Sequence, residues 1–229
     1  MNMAKRQLDN PLRFERKYVL ESNKNWIFKD ILLKKNFSSI YSKRKVVSMY
    51  FDTIDFKFFR ENIEGVGQRL KSRLRWYKNK DSEELEIKTF LEIKKKKGFV
   101  GEKIQYTFEK FLSENEIIKS SKEFKFQNKI SNILKRQVFP VLITSYDREY
   151  YLNKNRTFRA TVDTNLEILS LTANHFKIPI SKNILEIKYG TQHDHAFRNS
   201  IVKSNFNLRF QKFSKYVVGL LQLKKNGLI

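Results

Sequence analysis

The segment RLKSRLRWY, residues 69–77, alternates cationic and apolar side chains along most of its length. The odd positions carry Arg69, Lys71, Arg73 and Arg75, and the even positions include Leu70, Leu74 and Trp76. Successive side chains of a β-strand point to opposite faces, so this spacing predicts a strand with one cationic and one apolar face. Such a strand lies in a sheet whose two sides differ in chemistry.

Five further segments repeat this two-faced pattern. Their charged or polar rows are Arg13, Glu15 and Lys17; Glu86, Lys88, Glu92 and Lys94; Tyr146 and Arg148; Arg159, Thr161 and Asp163; and Glu186 and Lys188. One such strand is typical of an antiparallel sheet with one side in water. Six rows dominated by Arg and Lys, with a minority of Glu, instead favour a shared charged interior.

The alternation and capping signals predict an α+β fold that is mainly β. The expected strands are Leu12–Leu20, Val46–Thr53, Gly67–Tyr77, Glu84–Lys94, Val100–Phe108, Val141–Tyr151, Thr157–Leu166 and Asn183–Tyr189, with Leu208–Phe213 as a candidate ninth. Helices are expected at Asn25–Lys35, after Ser113, at Gln127–Phe139, after Thr191, and from Ser214 to about residue 224. We therefore expect a single domain over residues 1–229, with a helical insert at about 112–139 and a C-terminal helix at about 214–224.

If the predicted sheet closes, it forms an eight-stranded antiparallel β-barrel whose charged rows line a lumen and whose apolar faces pack against flanking helices. An empty cationic lumen is unstable, because its charges repel one another unless a ligand, carboxylates or a metal balances them. Guanidinium groups bind phosphate oxygens bidentately. Glu15, Glu92 and Glu186 are candidate oxygen ligands for Mg²⁺ or Mn²⁺ bridging such oxygens.

The composition limits the possible classes of protein. The chain has 229 residues, no Cys and a formal net charge of +23. Disulfide frameworks and thiolate metal sites are therefore excluded, and a cytoplasmic location is the default expectation. The charge indicates a polyanionic partner, either nucleic acid, phosphorylated metabolites or an anionic membrane, although solvated lysines could account for much of it. No apolar run is long enough to suggest a membrane span or signal peptide.

The ordered series FERKYVL, SMYFDT, RLKSRLRWY, FLEIKKKKG, SYDREYY, FRATVDT, LEIKYG and KFSKYVVGL resembles the VTC domain family, from about Arg13 to Leu220. That family belongs to the triphosphate tunnel metalloenzymes, and its best-known members are polyphosphate polymerases. The resemblance implies a β-tunnel that binds ATP through its triphosphate, uses Mn²⁺ or Mg²⁺, and transfers the γ-phosphoryl group to polyphosphate.

The resemblance also implies roles for individual residues. The implied phosphate ligands are Lys17, Arg73, Arg75, Lys94, Arg148 and Arg159, joined by Tyr146, Ser214, Lys215 and the less clearly placed Lys103. Lys71 and Lys188 share strand faces with these groups, and Glu186 matches the metal-binding glutamate. Arg73, Arg75, Arg148, Arg159 and Lys215 are the candidates for stabilising the transferred phosphoryl group.

Several alternatives remain at this stage. Arg13 replaces the first Glu of the ExExK motif found in the adenylate cyclase and thiamine-triphosphatase branch, which favours the polymerase type. Water as acceptor would make the protein a triphosphatase, and a member without turnover would bind polyphosphate or another polyanion. No specific nucleic acid is expected, because carboxylates accompany the cations. A membrane-protein partner and a peripheral position at the inner membrane face are further expectations, and the oligomeric state is left open.

Overall fold

The computed structural model of the chain describes residues 5–7, 13–78, 86–97, 100–171, 176–199 and 209–229. Within these ranges the strands are β1 (Lys5–Gln7), β2 (Arg13–Glu21), β3 (Phe37–Asp52), β4 (Gln68–Lys78), β5 (Ile87–Lys97), β6 (Val100–Phe111), β7 (Phe139–Asn153), β8 (Arg159–Leu169), β9 (Lys177–Ile180) and β10 (Lys182–Gly190). The helices are α1 (Asn25–Lys34), α2 (Lys57–Glu64), α3 (Glu114–Ser121), α4 (Phe124–Leu134), α5 (Asp194–Phe197) and α6 (Lys215–Lys225).

The ten strands form one antiparallel sheet in the order β1-β6-β5-β4-β3-β7-β8-β10-β2, with β9 paired to β8. The mainly β, α+β class is confirmed. The expected closed barrel of eight strands is wrong, because within the described ranges no backbone pairing joins the β2 end of this order to the β1 end.

At each end of the sheet a short segment hydrogen-bonds to a long strand. The β6 edge is covered by β1. At the other end, the backbone N–H of Gln211 donates to the carbonyl of Lys17 at 3.0 Å. Covering an edge with a short segment satisfies its free backbone groups, as closure would do.

The sheet nevertheless curls strongly, so that distant strands face each other across its inner side. Lys94 on β5 lies 3.1 Å from Glu15 on β2, although five strands separate these two in the sheet order. Side chains rather than backbone hydrogen bonds therefore bridge the concave face, which is a groove.

Apolar side chains on the convex face pack against helices in two clusters. One contains Trp76, Leu74 and Ile93 from the sheet together with Ile117 of α3 and Ile130 of α4. The other joins β2, β8 and β10 to α1 and α5, and its fully buried members include Leu185, Ile187, Phe28 and Phe197. Burial of this surface drives the outward packing of the apolar rows that the sequence predicted.

Helix α6 lies on the opposite, concave side of the sheet. Tyr216 stacks on Tyr50 of β3 at 5.1 Å between ring centroids, and Leu220 belongs to the same buried cluster as Leu142 of β7. Gly219 allows this close approach, since a Cβ there would lie 3.0 Å from Leu142 Cδ2. One end of the groove is thus covered by α6.

Several predicted elements differ from the observed ones. The helix expected at Gln127–Phe139 ends at Leu134, because Lys135 adopts a left-handed conformation (φ 53°) and Phe139 already belongs to β7. Helix α2 was not expected, and β3 begins nine residues earlier than predicted, at Phe37. Residues 209–213 form no strand, and residue 208 lies outside the described ranges, as does Glu84 of the fourth predicted strand.

Candidate functional site

The charged rows meet on the concave face, which we call the cationic groove. Its cations are Lys17, Lys71, Arg73, Arg75, Lys94, Lys103, Arg148, Arg159, Lys188 and Lys215, and its carboxylates are Glu15, Glu92, Asp163 and Glu186. Register places these groups on one side of the sheet, because directly opposite residues share a face; examples are Arg73 with Glu92 and Lys94 with Lys103.

Glu92 is the centre of the first ion-pair cluster. Its carboxylate accepts hydrogen bonds from Arg73 Nε at 2.8 Å and Lys103 Nζ at 2.7 Å, and Arg75 Nη1 lies 3.5 Å away. Burial alone would raise the pKa of Glu92, but these three positive charges hold it well below its usual range. The carboxylate therefore stays ionised and keeps both guanidinium groups directed into the groove.

Asp163 organises the second cluster. Arg148 donates two hydrogen bonds to its carboxylate, at 2.6 and 2.7 Å, and Lys215 of α6 donates a third at 2.5 Å. Burial would raise the pKa of Asp163, yet the charges of Arg148 and Lys215 lower it to about 2. This carboxylate joins β7, β8 and α6 at one point of the groove.

Glu15 and Glu186 form the third cluster with three lysines. Lys188 Nζ lies 2.6 Å from Glu186 and 3.8 Å from Glu15, so it contacts both carboxylates. Lys17 lies 3.4 Å from Glu186, and Lys94 pairs with Glu15. Burial opposes ionisation of Glu186, but Lys188 and Lys17 hold its pKa well below its usual range.

Lys71 differs from these cations, since its partner is a hydroxyl group. Its ammonium donates to Ser214 Oγ at 3.0 Å, and Ser214 in turn accepts from the backbone N–H of Val217 and caps α6. Burial, together with the positive charges of Lys17 and Lys94, lowers the pKa of Lys71 to about 7. Lys71 is thus a partly desolvated cation without a carboxylate partner among the described residues.

Tyr146 and Arg159 lie at different depths on the same face. Tyr146 is fully buried and its hydroxyl accepts from Arg75 at 3.1 Å; burial would raise its pKa, but Arg148, Arg75 and Lys215 lower it. Arg159 is exposed at the rim, opposite Lys188 in the ladder. Arg69 is directed elsewhere, because it donates to the carbonyls of Gly65 and Val66.

The groove carries an uncompensated positive charge. The ten cations named above outnumber the four carboxylates, Arg13 and Arg44 add positive charge on the same face, and every one of those carboxylates is already paired with at least two cations. Clustered like charges in a partly desolvated site favour binding of an anion. Planar guanidinium groups and buried lysines suit phosphate oxygens in particular.

The three glutamates expected to ligate metal do not form one cluster. Within the described ranges, no three Asp, Glu or His side chains lie close enough to hold a metal ion by themselves. Glu92 is held by Arg73, Arg75 and Lys103, whereas Glu15 and Glu186 already share one positive group, Lys188. Mg²⁺ commonly takes one or two carboxylates and completes its shell with water and substrate phosphates, so this pair fits an ion bound together with phosphate.

Three groups that the sequence did not single out as site residues also contribute to the groove. Strand phase placed Asp163 in the charged row of Arg159 and Thr161, and in the structure it is the counter-charge of Arg148 and Lys215. Tyr50 is buried in the cluster that packs against α6, and its hydroxyl accepts from Arg73 at 3.4 Å. Ser48 accepts from Arg75 at 3.3 Å, and no local signal distinguished it.

A curved antiparallel sheet with α1, α3, α4 and α5 on its convex side and cations on its concave face is the architecture expected of a tunnel-type class of protein. The VTC domain model matches residues 12–224. The chain therefore belongs to the VTC domain family, consistent with the triphosphate tunnel metalloenzyme superfamily that the sequence resembled.

Solved structures share this fold at low sequence identity. A protein from Pyrococcus horikoshii OT3 has a TM-score of 0.52 and 12% identity, covering 91% of this chain and 99% of that one. A proposed adenylate cyclase from Vibrio parahaemolyticus has a TM-score of 0.52 and 10% identity, with coverage of 92% and 99%. A proposed adenylyl cyclase from Hippeastrum, described as having a dominant triphosphatase activity, has a TM-score of 0.51 and 11% identity, with coverage of 92% and 96%.

No curated protein matches the chain. No helix within the described ranges is long and apolar enough to span a bilayer.

Proposed function

We propose that the chain binds the triphosphate of a nucleoside triphosphate, such as ATP, in the cationic groove and transfers the terminal phosphoryl group to polyphosphate. The observation that carries this proposal is the convergence of ten cations, from seven strands and the start of α6, on one concave face with only four carboxylates. Membership of the VTC domain family supports the same reaction.

The residues divide by their place in the groove. Charge on the phosphoryl group during transfer would be neutralised by Arg73, Arg75, Arg148, Arg159 and Lys215. The remaining phosphate oxygens would be bound by Lys17, Lys71, Lys94, Lys103, Tyr146, Lys188 and Ser214. Phosphoryl transfer depends on alignment and electrostatic stabilisation more than on a protein nucleophile. The groove supplies both without any covalent intermediate on the protein.

A divalent ion fits one part of this site. Glu186 and Glu15 would hold Mn²⁺ or Mg²⁺, which would supply positive charge to neutralise part of the charge of a bound phosphate. For that, Lys188 must leave its position against both carboxylates and turn towards the phosphates. Glu92 has a different role in this proposal, since it positions Arg73 and Arg75.

The acceptor separates the proposal from its alternatives. A polyphosphate end as acceptor gives polymerisation, and water gives a triphosphatase, the activity described for the Hippeastrum structure. A groove that binds without turnover would make the protein a polyanion-binding member of the family. A cytoplasmic location, and a membrane-protein partner that receives the product, remain predictions of the resemblance.

The test is incubation of the protein with ATP and Mn²⁺ or Mg²⁺, with products resolved by ³¹P NMR. Internal polyphosphate resonances that disappear with Glu186→Gln, with Arg159→Gln and on chelation of the metal are expected. Arg136→Gln, an exposed arginine at the end of α4, is the matched control and should retain activity. Free phosphate alone would indicate the triphosphatase, and absence of ATP binding would contradict the proposal.

A further inference from the structure

The groove face continues beyond Arg148 into a cluster of aromatic side chains. In the ladder between β3 and β7, Tyr41 lies opposite Tyr150 and Arg44 lies opposite Arg148. Tyr77 of β4 and Tyr146 of β7 both lie opposite Val46. Because directly opposite residues share a face, the four residues Tyr41, Arg44, Tyr77 and Tyr150, which we call the aromatic mouth, all lie on the side of the cationic groove.

A bulge keeps Tyr41 and Arg44 on this same side. They are three positions apart along β3, an odd spacing that would normally place them on opposite faces. The register shifts between Tyr41 and Arg44, so that β3 spends three positions where β7 spends two. Bulges commonly re-aim side chains beside functional sites.

The contacts within the aromatic mouth leave ring surface open to solvent. Tyr41 and Tyr150 meet edge to face with centroids 5.7 Å apart, and the Arg44 guanidinium lies 5.5 Å from the Tyr41 ring. Tyr41 remains 56% exposed despite both contacts. Tyr150 and Tyr77 are half-buried, and burial raises the pKa of Tyr150 although the nearby charges of Arg148 and Arg44 oppose the shift.

We propose that the aromatic mouth binds the nucleobase of the triphosphate donor by stacking. This inference rests on the proposed function and concerns the nucleobase, the part of the donor that the cations of the groove do not bind. Tyrosine rings and guanidinium planes stack on nucleobases, whereas phosphate oxygens gain little from an aromatic face. Three tyrosines beside one arginine therefore suit a flat aromatic ligand better than a longer phosphate chain.

The position of the aromatic mouth suits the length of a nucleoside triphosphate. Helix α6 covers one end of the groove, where Tyr216 and Leu220 pack on the sheet. The aromatic mouth lies towards the other end, and Tyr150 is four residues beyond the buried Tyr146, about 13 Å along a strand. A triphosphate on Arg75, Arg148 and Lys215 can thus extend its nucleoside outward to Tyr150.

Stacking without base-edge hydrogen bonds gives little base selectivity. Every nucleobase has a π-face, so discrimination by stacking is modest and follows ring area. The aromatic mouth should therefore accept ATP and GTP about equally, and both better than UTP, while tripolyphosphate binds through the groove alone.

The experiment compares dissociation constants for ATP and tripolyphosphate by isothermal titration calorimetry in chelator, which prevents turnover. Tyr41→Ala is expected to weaken ATP binding roughly 5- to 100-fold and to leave tripolyphosphate binding unchanged. Arg44→Lys keeps the charge but removes the stacking plane, so it should weaken ATP binding selectively as well. Trp26→Ala, which removes an exposed aromatic side chain on the convex side, is the control.

The outcomes separate this inference from the proposed function. Wild-type affinity for tripolyphosphate tests the groove, and only the ratio of the two affinities tests the aromatic mouth. Equal weakening of both ligands by Tyr41→Ala, or full retention of ATP binding, would overturn nucleobase stacking. If Arg44→Lys is harmless while Arg44→Gln weakens tripolyphosphate and longer polyphosphate alike, the aromatic mouth is a phosphate site and the inference is wrong.

Discussion

Each carboxylate in the cationic groove contacts cations that could also contact a phosphate oxygen. Glu92 receives hydrogen bonds from Arg73 and Lys103, and Asp163 receives them from Arg148 and Lys215. These carboxylates balance part of the repulsion in the ligand-free groove and fix the cations in place before binding. Removing one of these carboxylates should therefore show how much of the free energy of unfolding depends on the negative charges inside the groove.

Glu92→Gln tests this dependence. It leaves Arg73, Arg75 and Lys103 without their shared anion, and breaking a buried ion pair from one side typically costs about 3–5 kcal/mol. We expect a large fall in Tm that added tripolyphosphate partly reverses, measured by thermal unfolding. Glu109→Gln, which removes a half-exposed pair with Lys129, should change stability by at most about 1 kcal/mol. A Glu92→Gln melt as high as the wild type would contradict the role assigned to Glu92.

Lys71 should make binding depend on pH near neutrality. Its folded pKa of about 7 lies below the unfolded value, so the unfolded chain binds more protons above pH 7, and stability rises with pH from about 7 to 10. A bound phosphate favours the ammonium form, so binding takes up a proton and affinity falls above pH 7.

Calorimetry with tripolyphosphate at pH 6.5–9, in buffers of different ionisation enthalpy, measures this proton uptake. In Lys71→Arg the side chain stays charged, so affinity for tripolyphosphate should decline less above pH 7. Lys122→Arg, at an exposed site, should show the same decline as the wild type. The same decline in wild type and Lys71→Arg would assign the pH dependence to another group.

Strand phase predicted which side chains share the groove, but not which of them pair. Alternation is a local property, so Arg148 and Lys188 could be assigned to the charged side from a few neighbouring residues. The contact of Lys215 with Asp163 joins positions 52 residues apart and depends on where α6 packs. Pairing is therefore a property of sheet order and helix docking, which the local pattern does not contain.

The missed helix shows the same limit at the level of elements. Helix α2 begins after Phe56 in a left-handed conformation (φ 54°), without the usual side-chain cap. Its first N–H groups instead donate to side chains at and just after the end of β3: Lys57 to Thr53 Oγ1 at 2.9 Å, and Phe58 and Phe59 to the Asp52 carboxylate at 2.8 and 2.9 Å. Sequence signals for a helix start rely on a capping residue within about three positions of the N–H group, and Asp52 lies six residues before Phe58. In addition, the spacing of Phe56 and Phe58 is also typical of the buried face of a strand.

Helix α6 should tolerate no enlargement at Gly219. Alanine would gain up to about 1 kcal/mol of helix propensity, but its Cβ would lie 3.0 Å from Leu142 and 3.2 Å from Ile168, and overpacking costs about 1–3 kcal/mol. We expect no stabilisation, a net loss of up to about 2 kcal/mol, and weaker tripolyphosphate binding as Ser214 and Lys215 move. Urea unfolding and calorimetry measure both effects.

The control for this prediction lies on the same helix. Gln222→Ala should change stability by no more than about 0.5 kcal/mol. A stabilised Gly219→Ala protein with unchanged binding would show that α6 has room to move away from the sheet.

At the scale of the whole molecule, the excess charge of the groove predicts stabilisation by its ligand. At a concentration of tripolyphosphate 100-fold above Kd, binding should add about 2.7 kcal/mol to the free energy of unfolding, or roughly 5–10 °C in Tm. The effect should shrink as salt rises, because exposed cations such as Arg159 are screened. An equal shift with sulfate at matched ionic strength would indicate non-specific charge neutralisation.

The order of strands in the sheet also bears on synthesis of the chain. Among the described strands β2 pairs only with β10, which follows all of the other described strands in the sequence. A nascent chain emerges from its N-terminus onward, so β2 and α1, with the apolar Tyr18, Phe28 and Leu32, must wait for their partners. A ribosome paused before Lys182 would thus present this uncovered surface to chaperones.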